Sequence, residues 1–242
     1  MPKSPMRVPP MRLIWRGHIP RVVAVVIGVI VATSLACYLT DGSAHAIRGF
    51  LVLQPGEALR GQVWRVVTFS LVAEEMLSLV LGGLMLYWLG RDLATQWGAR
   101  RFVLALAGSV AFAGVMTTLA GLFIPTVRAF PYFGLWPLTE ALMLGWAAEF
   151  RDREVRLFMM LPARGRQLIV FTVALLVLWG FMMGPVAILP HAFAQLFMAG
   201  YTGLLLPPSL RMKIKRLLRR NRRPDWIRAV DDDRPPRPRH WN

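Results

Sequence analysis

Apolar residues gather into six runs, at about residues 22–40, 76–90, 102–124, 133–150, 167–183 and 186–206. The gaps between them are short, and arginine crowds into every second one. A helix crosses a bilayer with roughly 17–25 mostly apolar residues, and each run comes near that length. The pattern predicts an all-α membrane protein with six transmembrane helices. The second and fifth runs are short, so their helices borrow flanking residues.

Lys and Arg orient such a chain, because cytoplasmic loops carry the excess of positive charge. Of the 29 basic residues only Arg48, Arg60, Arg65 and Arg128 fall in the first, third or fifth gap. The rest lie before the first run, in the second and fourth gaps, or after the sixth. Both termini are therefore expected in the cytoplasm, with an even number of crossings. A competing reading of the start is a secretory signal: a basic stretch, an apolar run, then Ser43, Ala44, His45 and Ala46 as an A-x-A cleavage site. The run is longer than the ~7–15 apolar residues of a signal, which favours a retained first helix.

Composition fits a membrane protein. With 55% hydrophobic residues and a mean hydropathy of +0.47, the chain is too apolar for an average soluble domain. The single cysteine, Cys37, excludes an intrachain disulfide. A net charge of +16 would suggest nucleic acid in a soluble protein. Here most of it flanks apolar runs, so anionic lipid headgroups are the simpler partner. Basic residues are mostly Arg, and Ala and Gly are common, which points to a GC-rich bacterial genome and hence an inner (plasma) membrane.

Four segments follow. Residues 1–21 are a basic cytoplasmic N-terminus, and residues 22–206 form the membrane domain. In 207–223, Leu210, Ile214, Leu217 and Leu218 recur at helical spacing among Arg and Lys, which reads as a basic amphipathic helix lying on the membrane. Residues 224–242, rich in Pro, Asp and Arg, read as a disordered tail. The outward segment 41–75 is itself apolar. Residues 60–69 within it suggest a short interfacial helix with Trp64 at headgroup level.

Several local patterns, in order, resemble the rhomboid superfamily of six-helix intramembrane proteins. Val63-Trp64-Arg65-Val66-Val67-Thr68 is similar to that family's Trp-Arg loop motif. Tyr87-Trp88-Leu89-Gly90-Arg91-Asp92 followed by Trp97-Gly98-Ala99-Arg100 resembles the junction of its second and third helices. Phe133-Gly134 opens the fourth run, and Met198-Ala199-Gly200 lies in the last. The resemblance spans about residues 22–206 and implies a rhomboid-like bundle.

Proteases of that superfamily attack with a Ser in G-x-S-G at the start of the fourth helix, and a His on the sixth takes its proton. A His and an Asn on the second helix stabilise the oxyanion. Here Gly134-Leu135-Trp136-Pro137 occupies the serine site, and the indole of Trp136 is no nucleophile. Registering the second helix on Gly90 places Ser78 and Gly82 at the family's His and Asn. Registering the sixth on Gly200 places Phe193 at its His. His191 reaches that position only if the register slips, which sets Ala194 and Met198 where the family has glycines. Of the hydroxyls, Ser70, Ser78, Ser109, Ser209 and Thr139, none stands at the opening of the fourth helix. The resemblance thus implies a pseudoprotease. Trp136 either plugs the vacated cavity or gates a client helix.

Glu140 is the sharpest oddity, since an ionisable group inside a bilayer costs at least about 2.5 kcal/mol. Its nearest expected partners are His191 and Gln195 on the sixth helix. The group is either a hydrogen-bonded structural acid or, with Trp136, His191 and Gln195, a polar site that grips a client. Gly82, Gly90, Gly134 and Gly200 are expected to allow close helix packing. Trp64 and Arg65 are expected to anchor and order the outward loop. The four histidines, His18, His45, His191 and His240, are far apart in the sequence and suggest no metal site. No phosphate-binding or dinucleotide motif is present, so no cofactor is expected, and nucleic acid is not expected as a partner. The expected function is binding transmembrane segments of client membrane proteins, in a bilayer thinned by the short second helix and the outward loop, between the second and fifth helices. The alternatives are an active intramembrane serine endopeptidase and a proton-coupled small-solute carrier using Glu140.

Overall fold

Helix α1 (Arg21–Thr40) opens the described chain. The computed structural model describes residues 19–40, 46–151, 154–157 and 161–205. The two expected segments 207–223 and 224–242, and nearly all of 1–21, lie outside the described residues. After α1 come α2 (Ala46–Leu51), α3 (Pro55–Leu59) and α4 (Arg65–Thr68), then a 3-10 turn over Phe69–Leu71. The long helices α5 (Met76–Trp97) and α6 (Ala99–Phe123) follow, then the short α7 (Pro125–Ala129) and α8 (Trp136–Glu149). Strands β1 (Glu154–Leu157) and β2 (Leu161–Arg164) pair antiparallel with each other, Glu154 opposite Arg164. Helices α9 (Gly165–Met183) and α10 (Leu189–Tyr201) complete the fold. Among the described residues the named elements are helical except for this hairpin, which falls in the fourth, basic gap.

Among the described residues, α1, α5, α6 and α9 are long and apolar enough to cross a membrane. Helices α8 and α10 have 14 and 13 residues, yet they occupy the middle. Every residue from Pro137 to Ala148 of α8 is buried. Helices α5, α6, α9 and α10 pack around it, and α1 lies outside against α5. A helix buried all round has no amphipathic stripe, which explains the even spread of apolar residues along 136–149.

Small residues set the close approaches. At Gly82 a Cβ would run into the Leu135 side chain, and at Gly90 it would press on Phe102 at 3.2 Å. Gly145 of α8 leaves room for Met198 of α10, whose Sδ would lie 3.0 Å from a Cβ there. Gly200, expected as a packing point, has nothing within 4 Å of such a Cβ and is exposed. The small residue of the α8–α10 contact is therefore on α8.

The second helix is not short. It runs through Arg91 and Asp92 to Trp97, and the Asp92 carboxylate accepts a hydrogen bond from Trp146 Nε1 at 3.3 Å and so anchors the polar end of α5 to α8. A short second helix as the cause of bilayer thinning is thereby overturned. The sixth run shrinks instead. Val186 to Ile188 form turns, α10 starts only with Pro190 in its first turn, and Gly203 at φ 67° stops it. Leu204 N–H donates to Ala199 O at 2.7 Å and Gly203 N–H to Gly200 O at 3.0 Å, the hydrogen-bond pair of a Schellman terminus.

The outward loop is folded onto the bundle. Arg65 is buried and donates to Gln62 Oε1 at 2.6 Å, to Val52 O at 2.5 Å and to Gly49 O. It thereby satisfies carbonyls within and just after the end of α2 that no helix bond would reach. Trp64 stacks on Phe50 at 4.8 Å and is 38% exposed. Only Arg65–Thr68 of the expected interfacial helix over 60–69 is α-helical; the rest is turn and 3-10. Gly114 of α6 lets the Val66 backbone lie directly on the helix, where any Cβ would collide with Val66 O, Cα and C.

Candidate functional site

The site is built where α8 and α10 begin. His191 and Gln195 are four residues apart on α10 and so share one face. That face meets Glu140, and both side chains reach one oxygen. Gln195 Nε2 donates to Glu140 Oε2 at 2.9 Å, and His191 Nδ1 lies 3.1 Å from the same atom. Glu140 is 2% exposed and Gln195 4%. The other carboxylate oxygen, Oε1, is buried and has no hydrogen-bond partner among the described residues. Met198 and Ala194 continue the buried face of α10.

Of the two α10 residues weighed in the sequence, His191 and not Phe193 faces Glu140 of α8. Phe193 turns away from α8 and meets Phe112 of α6 edge-on at 6.5 Å. His191 is the residue that faces α8, with Ala194 and Met198 below it. Gly145 provides the space that a small residue at 198 would otherwise leave. What His191 meets is a carboxylate; among the described residues no hydroxyl is hydrogen-bonded to its ring. Ser78 belongs to the start of α5, where its Oγ accepts the Glu75 N–H at 3.1 Å and the Glu75 side chain accepts the Ser78 N–H. This reciprocal cap satisfies orphan donors of the first turn. Gly82 faces Leu135 and Thr139 of α8. Thr139 Oγ1 bonds back to Trp136 O at 3.0 Å within its own helix.

Above the polar cluster lies a cavity of about 230 Å³, lined by residues that include Glu74, Phe133, Pro137, Trp179, Met183 and His191. Trp136 itself is half-buried in the first turn of α8. The wall of the cavity is made by its neighbours Phe133 and Pro137, so the indole does not fill it. The roof comes from residues 130–134, held on both sides. Leu53 and Tyr132 exchange backbone hydrogen bonds at 2.8 Å, Gly134 N–H donates to Phe69 O at 3.1 Å, and the Tyr132 hydroxyl donates to Val186 O at 3.1 Å. Gly134 has φ 128°, and a Cβ there would strike the Glu74 carboxylate. The expected packing glycine thus serves to admit an acid to the cavity wall.

Glu74 escaped the sequence reading. Within Ala73-Glu74-Glu75-Met76 it reads as one of two solvated acids before a helix. The available signal was that only Glu75 can cap α5, which leaves Glu74 to another purpose. It lies outside the membrane-spanning segments. Burial lifts its carboxyl above the usual carboxylate range. Glu75 and Glu140 push the same way, and His191 and Arg48 oppose. The folded protein therefore holds this proton more tightly than the unfolded chain does. The stability tied to it is complete below the ordinary value of 4.5 and is lost as pH rises through the higher folded value. The melting temperature in detergent should accordingly fall as pH is raised from just below 4.5 towards neutrality, and Glu74→Gln should flatten that part of the profile.

Long apolar helices around a fully buried central helix, with an acid at its heart, define an integral membrane protein with several crossing helices. A family model described as "Eukaryotic integral membrane protein (DUF1751)" matches residues 24–204, and the chain belongs to that family. Comparison with curated proteins gives no match. The family is described from eukaryotes, which runs against the bacterial inner membrane expected from Arg, Ala and Gly usage. Such usage tracks the base composition of a genome, and that varies among eukaryotes as it does among bacteria.

Proposed function

We propose that this chain is a non-proteolytic, rhomboid-like protein that holds transmembrane segments of client membrane proteins. Grouping of its family among the rhomboid-like families supports the fold assignment. That fold counts α8 and α10 as crossings alongside the four long helices and keeps both termini in the cytoplasm. The observation that carries the functional reading is the environment of His191. Its ring faces α8 as an attacking dyad would require, but a carboxylate and not a hydroxyl receives it. A cleft so furnished binds without acylating.

Burial divides the roles among the candidate residues. Glu140 and Gln195 fix His191, whereas His191, Trp179 and Met183 reach the cavity. Helix α9 packs chiefly on α8, and exposes Val170, Phe171, Val173, Val177, Leu178 and Phe181. A client helix with polar or helix-weakening residues would lie against this face, between α5 and α9, with its polar backbone towards the cavity.

A photo-crosslinking residue at position 179 tests this directly, with position 115 on the exposed face of α6 as the reference. Single-span reporters carrying Gly, Asn or Pro in their outward third should crosslink from position 179 several-fold more than an all-Leu span. Equal yields from both reporters, or from both positions, would defeat the proposal. Labelling by a fluorophosphonate that disappears on substituting one particular Ser or Thr would restore the endopeptidase reading.

A further inference from the structure

We infer that the outward cavity seats the primary ammonium headgroup of a membrane lipid, with Glu74 and the Nε2 of His191 as its hydrogen-bond acceptors. The cavity is the one that the proposed client's polar backbone would face, so head and client would compete for it, and lipid retention reads the site with no client present.

The hydrogen-bond inventory sets the ligand's chemistry. Glu140 Oε2 accepts from Gln195 Nε2, whose amide hydrogens can only donate. The same oxygen lies 3.1 Å from His191 Nδ1, a contact made when Nδ1 holds the ring's proton and Nε2 does not. The other ring nitrogen, Nε2, is then a bare lone pair. His191 lines the cavity, and this nitrogen is the one left to serve it. The Tyr132 hydroxyl is already engaged as a donor to Val186 O. Glu74 adds a carboxylate. Acceptors are what the cavity offers, so its occupant must bring donors.

The apolar lining points to a cation. Phe69, Phe130, Tyr132, Phe133 and Trp179 contribute ring surface, and ring faces attract ammonium groups. The Arg48 guanidinium already lies 4.7 Å from the centroid of Phe133. A quaternary ammonium would satisfy the rings but leave both acceptors unpaired, which is costly for buried groups. A primary ammonium satisfies both demands.

Position favours a lipid over a soluble amine. Two lining residues, Trp179 and Met183, belong to α9, and its neighbouring Val177, Leu178, Phe181 and Met182 are exposed. Acyl chains can follow this surface while the head enters. Trp residues favour the headgroup level. The volume of about 230 Å³ far exceeds the ~10–15 Å³ that one water requires and accommodates an ethanolamine group.

The test uses the full chain reconstituted in vesicles of equal parts phosphatidylethanolamine, phosphatidylcholine and phosphatidylglycerol. Lipids retained after gentle detergent extraction are then counted by native mass spectrometry. Phosphatidylethanolamine should be enriched about fivefold over phosphatidylcholine, roughly what one good hydrogen bond supplies. Glu74→Gln, with its melting temperature checked in detergent, should remove most of that enrichment. Equal retention of the three lipids by the unaltered protein, or a preference for phosphatidylglycerol, would overturn the assignment without reference to any variant. Glycerophosphoethanolamine, the head without tails, should fail to displace the bound lipid at matched concentration. Displacement would transfer the site to a soluble amine and overturn the lipid assignment.

Discussion

Glu140→Ala is expected to lower the unfolding free energy by roughly 2–6 kcal/mol, about 1–3 kcal/mol for each buried donor left unpaired. The loss has a specific origin. Gln195 Nε2 and His191 Nδ1 both converge on Glu140 Oε2, so its removal strands two donors inside the bundle. Glu140→Gln keeps an oxygen at the same place and should cost much less. Denaturation in mixed micelles, followed by Trp fluorescence, reads both variants. If the two variants lose stability equally, the shared oxygen is not what holds α10 to α8. The Gln variant also separates the carrier alternative from the binding reading. A change in solute uptake or its pH response in vesicles, with client crosslinking intact, would favour the carrier.

The second large effect is expected at Gly114. Its open face receives the backbone of Val66, so a side chain added there meets atoms that no rotamer change can move. Gly114→Val should destabilise by about 3 kcal/mol, the upper part of the range for overpacking. It should also release the outward loop, seen as faster amide exchange at Arg65 and Thr68. Gly83→Ala is the matched control. Nothing lies within 4 Å of a Cβ at Gly83, and replacing a helical Gly by Ala gains up to about 1 kcal/mol. A comparable loss at both positions would refute the account of how the loop is seated.

Most of the fold was legible because each helix is written as an apolar run with its own ends. The runs at 102–124 and 167–183 correspond to α6 and α9 within three residues. Reading failed where a polar residue has a partner distant in sequence. Arg91 and Asp92 look like a loop, yet the helix continues through them, and Asp92 accepts a hydrogen bond from Trp146 Nε1. It failed again at α10, where the apolar run includes turns that hydropathy cannot separate from helix. Within the site, the cost of an acid in a bilayer singled out Glu140 and topology suggested its partners. The exchange of sizes between Gly145 and Met198 could not be read from either residue alone. Reading α10 from Gly200 therefore brought Phe193 forward, whereas the residue that meets α8 is His191. Glu74 and Gly134 needed the folded loop, since nothing local joins positions sixty residues apart.

The brevity of α8 and α10 has a consequence for where such a molecule resides. Fourteen and thirteen residues make helices about 21 and 20 Å long at ~1.5 Å per residue, against a hydrocarbon layer of about 30 Å. The long helices match that layer and the central pair does not; α8 is buried among its neighbours, so lipid would meet the mismatch only along exposed residues of α10 such as Leu196 and Tyr201. Each ångström of it costs a fraction of a kcal/mol. With α8 and α10 as crossings, as in the proposed fold, membranes of about 27 Å would suit this protein better than membranes of about 32 Å.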